Sequence, residues 1–63
     1  MDFSQALRKV IDGKKISKLE WDDVEIYGLL KDGILQIRLA DKEFYTWKVS
    51  EGDLLGFDWF VVA

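Results

Sequence analysis

The chain has 63 residues and a formal net charge of −3, and it contains neither cysteine nor histidine. This length allows one small domain, residues 1–63, and no second core. Without cysteine there are no disulfides or thiolate metal sites, and without histidine the commonest metal ligand and proton-transfer group is missing. We therefore expect no metal, no cofactor and no enzymatic activity.

Charge and hydropathy also limit the partners. The isoelectric point is near 4.7, with nine basic and twelve acidic residues, so the chain lacks the basic footprint of a general nucleic-acid binder. The longest apolar run, residues 59–63, is far too short to cross a membrane. Asp2, Arg8 and Lys9 interrupt any apolar segment of the signal-peptide kind. We expect a cytoplasmic protein that binds neither nucleic acid nor membrane.

Small chains without disulfides or metals often gain stability by association with another chain. Burial of apolar surface barely offsets the entropy lost on ordering a domain of this size. The composition is 49% hydrophobic and 14% aromatic, which is high for so short a chain. We therefore predict a homo-oligomer.

The first predicted element is a helix over residues 3–12. Apolar residues recur there at helical spacing, at Phe3, Ala6, Leu7, Val10 and Ile11. Asp2 and Gln5 lie three residues apart, as a capping box requires. Gly13 follows the last apolar position and supplies a left-handed stop.

A short strand is predicted over residues 15–17, and an acidic loop over residues 20–23 carries Trp21. From residue 24 onward the apolar pattern changes to period two, which predicts strands. Asp32-Gly33 is typical of a two-residue type I′ hairpin turn.

This hairpin places Gly28 opposite Ile37 on an apolar face. A glycine inside a strand indicates either close packing, here against the helix, or a bulge.

A third strand is predicted over residues 44–49, and its register depends on the loop before it. A two-residue turn at Asp41-Lys42 places Tyr45 and Trp47 on the face of Arg38. A loop of three or five residues places both aromatic side chains on the apolar face instead, because a slip of one residue reverses every side chain. We favour the longer loop, which keeps more apolar area in one core.

The last predicted elements are a helical turn and a strand. Ser50 and Asp53 form a second capping pattern, which begins a turn that runs through Leu55 and ends at Gly56. A final strand covers residues 58–62. The predicted fold class is α+β, with one N-terminal helix packed on an antiparallel sheet of four to five strands.

Two blocks of the sequence together resemble a known family. The blocks contain Phe3, Ala6-Leu7, residues 13–16 and Trp21, and then Trp47, Ser50, residues 53–55, Asp58-Trp59 and Val61-Val62. In order and spacing they resemble the phage Thoeris anti-defence domain of the second type. The resemblance implies an α+β fold that assembles into dimers or tetramers in the cytoplasm of a bacterial host. It also implies trapping, without cleavage, of signalling nucleotides such as cyclic ADP-ribose derivatives.

Four residues are the candidate ligand contacts: Trp21, Arg38, Tyr45 and Trp47. Aromatic faces stack on nucleobases, and an arginine binds phosphate through two parallel hydrogen bonds. The alternative for the tryptophans is a structural role as core or interface anchors. We expect that role for Trp59, whereas Trp21, in a polar loop, is the strongest candidate for a ligand or subunit contact.

Several lysines are weaker phosphate candidates. Arg38 and Lys48 are expected on neighbouring strands, and Lys14, Lys15 and Lys18 complete the set. The alternative is a solvated sheet face or a charged strand edge, which is a routine use of lysine.

The sequence thus predicts a non-enzymatic counter-defence protein that sequesters a small anionic, nucleotide-like signalling molecule at a subunit junction. The alternative is an inhibitor or adaptor that binds a host protein, through the hydrophobic sheet face or the acidic segment 20–25. No serine or threonine has a histidine to activate it, and no glycine-rich phosphate loop is present.

Overall fold

The computed structural model describes all 63 residues as two layers, a helix on a five-stranded sheet. The elements are α1 (Phe3–Ile11), β1 (Lys15–Lys18), a 3₁₀ helix (Leu19–Trp21), β2 (Tyr27–Lys31), β3 (Ile34–Arg38), β4 (Phe44–Thr46), α2 (Glu51–Leu55) and β5 (Trp59–Val62). The strand order is β4-β3-β2-β1-β5, and every neighbouring pair is antiparallel. The predicted α+β fold class is confirmed.

The helix α1 packs on β1, β2 and β5, and the side of the sheet that it covers is called the inner face. Ile16, Gly28, Ile37 and Tyr45 are paired across four strands and share that face. The opposite side is called the outer face. No helix of the chain is long and apolar enough to span a membrane.

The caps of α1 are those that the sequence predicts. The Asp2 carboxylate accepts the backbone N–H of Gln5 at 2.9 Å, and the Gln5 side chain accepts the backbone N–H of Asp2 at 3.0 Å. Gly13 has φ +89° after the helix ends. The predicted apolar stripe extends too far, however, because Ile11 is 58% exposed. At 100° per residue, Ile11 lies about 100° from the centre of the buried arc.

The first hairpin follows the predicted register. Asp32 and Gly33 both have positive φ, 54° and 75°, as a type I′ turn requires. Gly28 pairs with Ile37 in the ladder. The strand β2 begins at Tyr27 rather than near residue 24, because the preceding residues form a turn.

The third strand adopts the longer-loop register. Tyr45 pairs with Ile37, and the backbone N–H of Leu39 donates to the carbonyl of Glu43 at 3.1 Å, which leaves residues 40–42 as a three-residue loop. The preference for the longer loop is confirmed. The strand is shorter than predicted and ends at Thr46.

Gly28 allows a close approach, although its partner is not the predicted one. A Cβ atom at this position would lie 2.4 and 2.7 Å from two ring carbons of Trp47. The indole of Trp47, which follows β4, therefore lies directly on the backbone of β2. The prediction of the helix as the partner of Gly28 is wrong, because β4 directs Trp47 across the sheet.

Aromatic rings dominate the small core between α1 and the sheet. Phe3, Trp47 and Trp59 are mutually in contact, with ring centres 5.3 to 5.9 Å apart. Trp21 packs edge-on against Trp47 and Trp59. Trp59 is 2% exposed, and its indole N–H donates to the carbonyl of Asp53 at 3.1 Å. The predicted core role of Trp59 is confirmed.

Ion pairs of the buried Lys18 fix the segment that carries Trp21. The Lys18 side chain is 4% exposed, and its Nζ lies 3.4 Å from the Asp58 carboxylate and 3.6 Å from Glu20. The other oxygen of Asp58 accepts the backbone N–H of Glu20 at 2.9 Å and so caps the 3₁₀ helix. The prediction of a plain loop over residues 20–23 is therefore partly wrong, because a carboxylate 38 residues away orders its first residues.

This carboxylate should make the fold sensitive to acid. Burial raises the pKa of Asp58, but hydrogen bonds from the Glu20 backbone and from Lys18 outweigh that effect, so the pKa lies below its usual 3.8. Because the folded pKa is below the unfolded one, Asp58 stabilises the fold above pH 3.8, and this contribution is lost as the pH falls through the folded value. We expect Asp58→Asn to lower the melting temperature at pH 7 and to flatten its fall between pH 4 and pH 2.

Circular dichroism melts across this pH range check that expectation. Asp22→Asn is the matched control, since Asp22 is exposed and asparagine tolerates its left-handed φ of 53° equally well. Equal acid slopes for Asp58→Asn and the unsubstituted protein would contradict it.

Candidate functional site

An open cleft of about 380 Å³ lies at one end of the inner face. It is lined by Trp21, Ile26, Ile37, Leu39, Trp47, Lys48 and Asp53. Five of these seven side chains are hydrophobic, and the remaining two are charged. This size and lining are typical of sites for small molecules, in which a few polar groups fix the orientation of the ligand.

The two tryptophans of the cleft are held from different directions. Trp47 is anchored by its backbone N–H, which donates to the carbonyl of Leu35 at 3.1 Å, and it is 6% exposed. Trp21 sits on the 3₁₀ helix that Asp58 caps, and it is only half-buried. Their ring centres are 6.1 Å apart with the planes at 71°. Trp47 therefore forms the floor of the cleft, and Trp21 offers the more accessible aromatic surface.

The two charged residues of the cleft differ in their hydrogen-bond and ion-pair partners. The Asp53 carboxylate accepts the backbone N–H of Ser50 at 3.2 Å and the indole N–H of Trp47 at 3.4 Å. It thereby completes the capping box of α2 and stabilises the Trp47 ring. Lys48 is exposed and forms no ion pair. Lys48 is therefore the available cation of the cleft.

Tyr45 borders the cleft without lining it. It pairs with Ile37, whose side chain is part of the lining, and it is 44% exposed. Its phenol donates to the Asp41 carboxylate at 2.5 Å. This bond raises the pKa of Tyr45 and lowers the pKa of Asp41. The phenol is thus held as a neutral donor, directed to the loop before β4.

Arg38 lies on the outer face, away from the other three candidates. Its Nη1 donates to the backbone carbonyl of Glu25 at 2.8 Å, and its guanidinium lies 5.6 Å from the centre of the Tyr27 ring. The residues on either side of Arg38 line the cleft, and successive side chains of a strand point to opposite faces. The chain therefore brings Trp21 and Trp47 together, while the sheet separates Arg38 from them.

The weaker phosphate candidates do not form one cluster either. The buried Lys18 is paired with the carboxylates of Asp58 and Glu20, and Lys15 lies over the Tyr27 ring on the outer face. Of this group only Lys48 lines the cleft. Sequence reasoning ranked Lys48 below Arg38, and it missed the wall residues Ile26 and Leu39. The period-two pattern around β3 contained the necessary signal, since Ile37 and Leu39 share a face that Arg38 does not.

The cleft contains few ionisable side chains, which limits the chemistry that it can perform. Lys48 and Asp53 are its only titratable side chains, and the Oδ2 atom of Asp53 accepts two structural hydrogen bonds. No group of three or more potential metal ligands lies together anywhere in the chain. Aromatic surface beside a lysine suits the non-covalent binding of a flat, anionic molecule.

The architecture is thus a small α+β domain with one open, mostly apolar cleft. Residues 1–62 of the chain match a described domain, the Thoeris anti-defense 2-like (Tad2-like) domain. The chain therefore belongs to the Thoeris anti-defense 2-like family, which confirms the resemblance seen at its two ends and supports a role in Thoeris counter-defence. No curated protein matches the chain.

Proposed function

We propose that this domain acts in counter-defence by binding a small anionic, nucleotide-like signalling molecule and withholding it unchanged. The observation that carries this proposal is the cleft, in which the accessible ring of Trp21 and the unpaired ammonium of Lys48 border one apolar floor. Membership of an anti-defence family gives such binding a biological purpose.

The physical basis is stacking combined with charge. Stacking of a base on an aromatic side chain contributes about 1–3 kcal/mol. A lysine contributes a point charge that is suited to phosphate. Because Lys48 is already unpaired, it does not have to break an ion pair to bind an anion.

The ligand is proposed to lie at a subunit junction. Small-molecule sites typically bury 70–90% of their ligand, whereas this cleft is an open groove on one protomer. A neighbouring subunit would supply the missing wall. Tyr45, at the border, stays a candidate contact, and Arg38 can reach a ligand in this cleft only from another subunit because the sheet separates it from its own cleft.

Binding without turnover follows from the groups that the cleft offers. The chain has no histidine or cysteine, and the one carboxylate of the cleft already accepts two hydrogen bonds. General acid–base catalysis needs a donor and an acceptor free to exchange protons with the ligand. The cleft supplies one cation, and its single carboxylate is held at Oδ2 by structural hydrogen bonds.

Thermal shift and calorimetric titration test the proposal with a panel of cyclic nucleotides and cyclic ADP-ribose. A ligand that binds only the folded chain stabilises it by about 2.7 kcal/mol at a hundredfold excess over its dissociation constant. We expect Trp21→Ala to raise that constant at least tenfold, which corresponds to the loss of one stacking contact. We expect Lys48→Ala to weaken an anionic ligand in the same assay.

Lys9→Ala is the matched control, because Lys9 lies on the exposed side of α1 and does not line the cleft. The released ligand should be chromatographically identical to the ligand added. Conversion of the ligand, or binding that neither cleft variant weakens, would overturn the proposal.

Binding to a host protein is the second candidate function, and one surface patch favours it. Four large apolar side chains are exposed in this region: Leu19, Leu54, Leu55 and Phe57. The last three are close in sequence, and the hydrogen bond from the Leu19 N–H to the Asp58 carbonyl brings Leu19 near them. Exposed apolar patches often mark protein-binding sites. Stoichiometric retention of one host protein, with no thermal shift from the ligand panel, would favour this candidate.

A further inference from the structure

The three most exposed large apolar side chains of the chain come from two segments that the fold joins. Phe57, Leu55 and Leu19 are 80%, 71% and 69% exposed. These three residues, together with the exposed Leu54, are called the apolar patch. Single exposed apolar residues are ordinary on a protein surface, whereas a contiguous group of them marks an interaction site.

Hydrogen bonds and a close packing contact join the two segments. The main-chain carbonyl of Asp58 accepts the backbone N–H of Leu19 at 3.1 Å, and the Asp58 carboxylate accepts that of Glu20 at 2.9 Å. A Cβ atom at Gly56 would lie 2.7 Å from the Cε of Lys18, so the chain between α2 and β5 passes directly over this side chain. The two parts of the apolar patch are therefore held together by the fold.

The same two segments carry most of the negative charge of the chain. Residues 18–26 and 49–63 contain one of the nine basic residues and seven of the twelve acidic ones: Glu20, Asp22, Asp23, Glu25, Glu51, Asp53 and Asp58. The one basic residue, Lys18, is buried and already paired with two of these carboxylates. The remaining residues of the chain contain five acidic and eight basic side chains. The apolar patch is therefore surrounded by negative charge.

An open hollow of about 420 Å³ continues the apolar patch at Leu19. It is lined by the apolar Leu19, Val24 and Phe60 and by Lys18, Asp22 and Asp23. Because the Lys18 ammonium is paired elsewhere, the two aspartates supply the available charge of the hollow. A lysine or arginine side chain suits this lining, since its methylene stem packs on apolar walls while its charged end meets a carboxylate.

We propose that the apolar patch and this hollow together dock a segment of a host protein that carries apolar side chains beside lysine or arginine. The apolar side chains of the partner cover the patch, and a basic one enters the hollow. This inference rests on the second candidate function, binding to a host protein, and names the chemistry of the partner. Neither the apolar patch nor the hollow shares a residue with the cleft, so the inference does not depend on the ligand.

Charge complementarity selects a basic protein segment over other occupants. Asp22 and Asp23 would repel the phosphates of a nucleic acid or of an anionic membrane. A second copy of the chain, related by a two-fold axis through this surface, would bring the acidic segments against each other. A basic partner instead neutralises them, and charge pairing of this kind speeds association and determines partner choice.

Fluorescence anisotropy with two labelled probes tests the proposal. The probes are a short amphipathic peptide of leucine and lysine and its counterpart of leucine and glutamate, and we expect only the lysine peptide to bind. Phe57→Ala should raise the dissociation constant of that peptide at least about tenfold, as the loss of an anchoring contact does. Asp22→Asn should slow association and reduce its dependence on salt, because charges at the rim of an interface act mainly on the association rate.

Ile11→Ala and Asp32→Asn are the matched controls. Ile11 is an exposed apolar residue of α1, and Asp32 is an exposed carboxylate in a turn that favours asparagine equally. Both variants should bind the lysine peptide as the unsubstituted chain does, and circular dichroism shows whether each variant is folded. Equal binding of the two peptides, binding of neither, or the same loss for Ile11→Ala as for Phe57→Ala would overturn the proposal.

Further measurements on Phe57→Ala separate this surface from the cleft and from other occupants. The thermal shift that the ligand panel causes should be the same as in the unsubstituted chain, so failure of the cleft and failure of the docking surface are seen separately. A changed oligomeric state in sedimentation velocity would assign the apolar patch to a second copy and overturn the proposal. Flotation of the unsubstituted chain, but not of Phe57→Ala, with anionic phospholipid vesicles would assign it to a membrane and overturn the proposal as well.

Discussion

Trp59→Ala is expected to leave the domain largely unfolded at room temperature. Trp59 is 2% exposed and contacts the rings of Phe3, Trp21 and Trp47. Truncation of a buried tryptophan costs about 3–5 kcal/mol. A 63-residue domain has a free energy of unfolding of about 3–9 kcal/mol. The loss is therefore comparable to the whole stability, and urea unfolding followed by far-ultraviolet circular dichroism measures it.

Two further variants test whether this loss of stability is specific to the Trp59 side chain or arises from any substitution in this segment. Phe57→Ala, two residues earlier, removes a side chain that is 80% exposed and should change the free energy of unfolding by less than about 0.5 kcal/mol. Trp59→Phe keeps an aromatic ring but leaves the Asp53 carbonyl without its indole donor, so an intermediate loss is expected. A cooperative transition for Trp59→Ala at the original urea midpoint would contradict the assigned core.

Gly28→Ala is expected to destabilise the domain by about 1–3 kcal/mol, the usual cost of an overpacked core. The added methyl group would lie 2.4 Å from one ring carbon of Trp47, so the indole must move. That movement also disturbs the hydrogen bond from the indole of Trp47 to Asp53, at the floor of the cleft. Urea unfolding measures the stability, and ligand titration measures the effect on the cleft.

Gly52→Ala is the matched control, with the opposite sign expected. Gly52 lies inside α2, and the nearest atom to a Cβ there is the Ser50 hydroxyl at 3.8 Å. Alanine in a helix is more favourable than glycine by roughly 0.5–1 kcal/mol. Gly28→Ala combined with Trp47→Phe should cost less than the sum of the two single changes, since the smaller ring leaves room for the methyl group. Strict additivity would show that the two residues do not compete for the same space.

The sequence alone was sufficient to predict those elements whose determinants lie within a few residues of one another. The capping boxes at Asp2 and Ser50 involve residues three apart, and the Asp32-Gly33 turn fixes the hairpin register by itself. The register of the third strand could also be predicted, from one physical criterion. A three-residue loop keeps Tyr45 and Trp47 with the apolar set, and the core requires that.

Long-range contacts could not be predicted from these patterns. The 3₁₀ helix that carries Trp21 depends on the hydrogen bond from the Glu20 N–H to Asp58. Position 28 requires glycine because the Trp47 ring lies on the backbone there. Neither pairing has a periodic signature. The position of Arg38 on the outer face, by contrast, could have been predicted, because it follows from the loop length that the sequence analysis favoured. With Tyr45 on the face of Ile37, the alternation of β3 sends Arg38 to the other side.

The tryptophan cluster gives this protein an internal optical reporter. Trp47 and Trp59 are shielded from water, whereas Trp21 is half-buried at the rim of the cleft and supplies the solvent-sensitive part of the emission. A molecule that stacks on Trp21 should quench that emission, while unfolding should shift the whole spectrum to the red. Occupancy and folding can therefore be followed separately in one unlabelled sample.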